Sequence, residues 1–154
     1  MDKHQHWLMR PGEVRQVLGI DSDLLEKVYG SLVSVQTPGG DGRFARPYIE
    51  ALKSWEHYRP EIDAIRGFGM NPFAMKLASR QRQHWERQVQ QTAQAGRLTT
   101  GQLAELLNVR ATTVVKWHQK KQLLSRQGTG LKRNPHTYSA AEVLKVCTWR
   151  GPGL

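Results

Sequence analysis

A repeated segment constrains the fold of this chain more than any other feature of its sequence. Residues 11–20 and 100–109 lie 89 positions apart and align their apolar side chains: Val14 with Leu103, Val17 with Leu106, Leu18 with Leu107 and Ile20 with Val109. That spacing marks one face of a helix. Gly19 coincides with Asn108, and glycine and asparagine most readily take the left-handed backbone conformation that ends a helix. Each copy therefore predicts a short amphipathic helix, a tight turn, and a second helix starting near Asp21 or Arg110. In the second copy Thr99 and Gln102 stand at capping-box spacing, which sharpens the start of its first helix.

The likeness continues downstream. Leu32-Val33 and Leu123-Leu124 lead into polar, Gly-rich stretches, 36–43 and 126–135. Each stretch ends at an aromatic residue, Phe44 or Tyr138, now 94 positions apart, so the second is five residues longer. A short helix follows, with apolar residues at Ile49 and Leu52 in one copy and Val143 and Val146 in the other. Two strands around a turn make a hairpin, or wing, behind a helix-turn-helix. The expected fold is mainly α with small β-hairpin wings: a winged helix-turn-helix module over residues 1–59, a helical linker over 60–96, and a second module over 97–154.

In the linker, Trp55, His57 and Tyr58 are expected to extend the preceding helix until Pro60 interrupts it, with a short helical turn through Ile62 and Ile65. Gly67 and Gly69 mark a break. Asn71 as N-cap and Pro72 at the first helical position then start a helix reaching about Ala95, with Gly96 as its stop. Its apolar stripe of Phe73, Leu77, Trp85 and Val89 is thin, and Lys76, Arg80, Arg82 and Arg87 cover the other faces. A spacer or packed helix, a dimerisation helix and a basic strut along DNA all fit this pattern. The stripe lacks the sustained heptads of an autonomous coiled coil.

The 154 residues carry a formal net charge of +10, which favours polyanionic partners through counterion release. The excess is local. Residues 1–59 hold 8 Lys/Arg against 8 Asp/Glu, whereas residues 97–154 hold 10 against 2, a net of +8. No apolar run is long enough for a membrane span, and the N-terminus leads into no signal-like apolar region. The single cysteine, Cys147, has no internal partner for a disulfide and no thiol companion for zinc. A reduced, cytoplasmic protein is expected.

The second module resembles the MerR-like and excisionase-like winged helix-turn-helix domains. Thr113-Val114-Val115-Lys116-Trp117, followed by Lys121-Gln122-Leu123, is similar to their Thr-Val-x-x-Trp and Gly-Lys-Leu pattern. Tyr138-Ser139-Ala140-Ala141-Glu142-Val143 is similar to the Tyr-Ser-x-x-Glu/Asp-Leu element that closes the wing. The likeness spans about residues 98–147. It implies a helix from Arg110 lying in the major groove and a wing gripping adjacent backbone or minor groove. Arg110, Thr112, Thr113, Lys116 and Lys120 are the candidate contacts on that helix, with Arg126, Lys132, Arg133 and His136 on the wing. Trp117 shares the apolar side with Val114 and Leu124 and is expected in the core rather than stacked on a base.

The first module departs from this pattern. Its corresponding helix carries Asp21, Asp23 and Glu26 where the family offers Arg, Thr or Ser. Asp21 serves as an N-cap and Asp23 suits the helix dipole, but Glu26 has no such explanation. Arg15, Lys27, Arg43 and Arg46 remain candidate backbone contacts, the last two from the wing. Direct DNA contact and docking of a protein partner both stay open for this module.

No catalytic motif stands out. His4 and His6 lack acidic or thiol companions, and the Gly-rich stretches lack the Gly-Lys-Ser/Thr ending of a phosphate loop. No enzyme activity, metal or cofactor is expected. The expectation is a sequence-specific double-stranded DNA-binding protein, monomeric or homodimeric: a transcription regulator, or an accessory factor of a phage or mobile element of the recombination-directionality type. The alternative is an adaptor whose first module docks a recombinase or polymerase while the second holds DNA.

Overall fold

The computed structural model describes residues 5–154. The chain opens with β1 (Leu8–Met9), α1 (Pro11–Leu18), α2 (Ser22–Val28) and a 3-10 turn at Tyr29–Ser31. Strands β2 (Ser34–Gln36) and β3 (Gly42–Ala45) form a hairpin that runs directly into α3 (Arg46–Ser54). Two linking helices follow, α4 (Ile62–Gly69) and α5 (Pro72–Thr92). Then come β4 (Arg97–Thr99), α6 (Thr100–Leu107), α7 (Ala111–Gln119), β5 (Thr137–Ser139), α8 (Ala140–Val146) and β6 (Trp149–Arg150). The composition is mainly α with small antiparallel sheets.

Both halves repeat the order strand, helix, helix, hairpin, helix, and the repeat extends to strand register. Met9 faces Phe44 across β1 and β3, and Leu98 faces Tyr138 across β4 and β5. Met9 and Leu98 are 89 positions apart, and Phe44 and Tyr138 are 94, the same offsets as in the sequence. The strands before α1 and α6 were not foreseen, because two or three residues are too few to show a period of two. The left-handed ends were. Gly19 closes α1 at φ 66° and Asn108 closes α6 at φ 52°. The Thr99–Gln102 capping box is present in both directions, at 3.1 and 2.9 Å. Asp21 caps α2 by accepting from the Leu24 N–H at 2.8 Å, and Asn71 caps α5 through the Phe73 N–H.

Three expectations about the linker and core are corrected. Helix α3 stops at Ser54 rather than continuing towards Pro60, because Trp55 turns extended to pack edge-on against Phe68 of α4. The Tyr58 hydroxyl then donates to the Leu18 carbonyl at the end of α1. On α5 the buried stripe is Ala74, Ala78, Gln81, Trp85 and Val89, while Phe73 is 62% exposed. Leu124 is also exposed rather than packed with Trp117.

The largest correction concerns the boundary at residue 97. Strand β6, near the C-terminus, pairs with β2 of the first half, setting Ser34 opposite Arg150 and Val35 opposite Trp149. The first sheet therefore has four strands in the order β1-β3-β2-β6. Beyond it the tail lies so close to the first half that side chains at Gly151 and Gly153 would strike the Leu32 and Met75 carbonyls. Two hydrophobic clusters result, and α5 crosses from one to the other: Ala74 and Ala78 pack in the first, Trp85 and Val89 in the second.

Candidate nucleic-acid interface

Helix α7 is built as an amphipathic element with a cationic outer face. Val114 and Trp117 are buried, Thr113 and Val115 are half-buried, and Arg110, Thr112, Lys116 and Lys120 are exposed. Trp117 thus belongs to the core. Its indole also lies under the first hairpin, where a Cβ on Gly39 would come within 2.7 Å of Nε1. The helix ends in a Schellman-type turn: Lys121 N–H donates to the His118 carbonyl and Gln122 N–H to that of Trp117. Lys121 occupies the left-handed position there at φ 61°, where glycine is the usual occupant. Lys121 is an exposed cation that the sequence patterns missed. Its place at the first position of the Gly-Lys-Leu-like stretch was the available signal.

The second hairpin projects from the same half. Gln127 and Thr137 exchange two backbone bonds of 2.9 Å, and Asn134 N–H donates to the Leu131 carbonyl at the tip. Lys132 and Arg133 occupy the centre of that tip and are exposed. Arg126 is half-buried at the base. His136 is half-buried, with Nδ1 3.1 Å from the Gly128 carbonyl, and so braces the hairpin.

Glu142 anchors the base of the hairpin by accepting from the Leu124 and Ser125 N–H groups at 2.8 and 3.2 Å and from the Ser125 hydroxyl. Partial burial pushes the Glu142 carboxyl up. The Ser125 and Leu124 donors and the nearby Arg97 charge outweigh that, and hold it below the usual carboxylate range. Arg97 itself is spent internally, donating to the Ser125 and Thr137 carbonyls at 2.6 and 2.8 Å.

Among the described residues, no carboxylate lies within ion-pair distance of Arg110, Lys116, Lys120, Lys121, Lys132 or Arg133. Unpaired like charges on one half of the molecule create a positive potential suited to a polyanion.

The first half is arranged differently. Arg43 was expected on a wing surface but is buried, with Nε 2.9 Å from the Leu107 carbonyl and Nη1 2.8 Å from that of Gly42. Burial and the neighbouring Arg10 charge lower its pKa, while Asp41 and Glu13 oppose them. Arg46 is likewise committed, donating to the His6 carbonyl and pairing with Glu13 at 3.4 Å. Neither remains available to a ligand.

Arg43 belongs with Arg10 to a clamp on the α6–α7 turn, and Arg46 reaches it only through Glu13. Arg10 Nε donates to the Asn108 carbonyl at 2.9 Å, and Asn108 Nδ2 donates to the Leu8 carbonyl and to Glu13 Oε1, each at 2.9 Å. Guanidinium groups thereby satisfy the orphan carbonyls at the C-terminus of α6, where the helix dipole favours cations. The clamp holds the segment that leads into α7.

Arg15 lines an open cleft with Arg10, Gln16, Ser22 and the acidic Glu13 and Asp21. On α2, Asp21, Asp23, Glu26 and Lys27 are all exposed, and Arg66 of α4 caps the helix end through the Lys27 carbonyl at 3.1 Å. The outer face of α2 is therefore acidic with one lysine. His4 lies outside the described residues, while His6 Nδ1 stands 3.6 Å from Glu105. Cys147 is buried, which pushes its thiol up to about 12. Among the described residues no helix is long and apolar enough to cross a membrane. The chain matches no family model, no curated protein and no solved structure with which it was compared.

Proposed function

We propose that the protein binds double-stranded DNA, with α7 in the major groove and the second hairpin beside it, as a winged helix-turn-helix reader. The observation that carries this reading is the set of six exposed, unpaired cations on α7, its terminal turn and the hairpin tip. Arg110 is the best placed for bidentate contact with guanine, and Thr112, Lys116 and Lys120 suit phosphates or base edges. The first half is a support and not a second reader: its wing arginines are internal and its α2 is acidic, which phosphates would repel. In this reading the protein works in the cytoplasm, on the nucleoid or on phage DNA. It is a transcription regulator or an architectural accessory factor of a mobile element. A second reading is favoured by the acidic face of α2: an adaptor that docks a recombinase or polymerase through its first half while α7 holds DNA.

Replacing Arg110 and Lys116 with Glu should abolish duplex binding and leave the thermal midpoint nearly unchanged, since both side chains are exposed. Unchanged affinity would discard α7 as the reading face. If the six cations neutralise six phosphates, log K should fall against log salt with a slope of about −5. Lys27→Glu should leave duplex affinity intact, because α2 faces no DNA in this reading. Selection of duplexes from a random library, with the mass of the complex, gives the site and decides between monomer and homodimer.

A further inference from the structure

We propose that the second hairpin is a minor-groove wedge in which Leu131 presses against a base step and bends the duplex. The inference rests on the DNA-binding reading above and adds an activity to it. Leu131 is 68% exposed at the hairpin tip, immediately before Lys132 and Arg133. Leu131 packs in neither hydrophobic cluster, and hydrogen bonds within the tip hold its backbone in place.

The tip is braced from within. Thr129 and Gly130 N–H both donate to the Asn134 carbonyl at 3.0 Å, and Asn134 N–H returns to Leu131. Gly128 and Gly130, at φ 91° and 82°, let the two strands close so tightly that a Cβ would lie 2.2 Å from the Pro135 carbonyl and 2.7 Å from His136 Nε2. A pre-formed tip presenting one leucine beside two cations has the chemistry of side chains that unstack a base step while adjacent charges hold the phosphates.

The other hairpin supplies an internal comparison. Its turn, Thr37 to Asp41, has neither a lysine or arginine nor a large apolar residue at its tip, and it lies against Trp117. The same structural position is therefore used for packing in one half. In the other it is lengthened by five residues and armed with Leu-Lys-Arg.

The test uses the full chain and a duplex of roughly 30 bp, recovered by library selection and labelled at both ends for energy transfer. The native protein should bend it by about 20° or more, and should raise the fluorescence of 2-aminopurine placed at the contacted step. Leu131→Ala should bind within a few-fold of native affinity but lose the bend and the fluorescence rise, and Leu131→Phe should retain both. Lys132→Ala should weaken binding without the same selective loss of bend. Binding without a bend, or a bend unchanged in Leu131→Ala, would overturn the wedge and leave the DNA-binding reading standing. A loss of dimer mass in Leu131→Ala would assign the leucine to self-association and also overturn it. No duplex binding by the native protein would remove both readings.

Discussion

Arg43 and Arg133 carry the same charge in the same kind of hairpin, and their surroundings give them opposite roles. Arg43 is buried against the α6 carbonyls, so Arg43→Ala leaves the Leu107 carbonyl without its guanidinium donor. We expect a loss of about 2–4 kcal/mol, read as a lower urea midpoint, with the salt slope of DNA binding unchanged. Lys121 shows the reverse trade. Its left-handed backbone costs a non-glycine residue about 1–2 kcal/mol, so Lys121→Gly should raise the urea midpoint while weakening DNA binding and flattening the salt slope by about 0.9. A variant that gains stability and keeps full affinity would remove Lys121 from the interface. Glu142 links acidity to the hairpin. Its carboxyl titrates lower when folded than its unfolded value of 4.5, so its stabilisation is complete above that pH and is lost as pH falls through the folded value. Glu142→Gln should therefore lower the thermal midpoint at pH 7 and erase part of the native protein's loss as pH falls below 4.5.

At the scale of elements, the helices were legible wherever their signals are local. Caps at Asp21, Asn71 and Thr99 and stops at Gly19 and Asn108 act within four residues, and each is found where the pattern put it. The role of α5 was not legible. Its buried stripe packs into both cores of its own chain, Ala74 and Ala78 in one and Trp85 and Val89 in the other. Phe73→Ser should change stability by less than about 0.5 kcal/mol, because that ring is exposed, whereas Trp85→Ala should cost about 3–5 kcal/mol. Equilibrium urea unfolding of the two variants checks both. Arg10 at the clamp was missed for a related reason: nothing near it in sequence indicates a carbonyl 98 positions away.

At the scale of the molecule, the two repeats are not independent domains. Strand β6 sews the C-terminus to β2, Trp149 stacks edge-on with Trp85, and the α6–α7 turn is clamped by Arg10, Arg43 and Asn108. Unfolding should therefore be a single transition, with far-ultraviolet circular dichroism and tryptophan fluorescence coincident. Deleting residues 149–154 should lower the midpoint of that transition and separate the two probes. Separate transitions in the native chain would show that the halves fold alone.

By itself, the sequence determined the repeat, the two helix pairs, their caps, the hairpins and the concentration of positive charge in the last third. Each of these depends on periodicity, turn chemistry or composition, which neighbouring residues carry. Only the tertiary structure decided which cations face solvent and which become cement. Apart from the Gly42 carbonyl next to Arg43, the carbonyl partners of Arg43, Arg46 and Arg97 lie 28 to 65 residues away, and charge alone does not distinguish these arginines from Arg110 or Arg133. A buried guanidinium and an exposed one differ in the acceptors that the fold brings to them, and those acceptors come from distant parts of the chain.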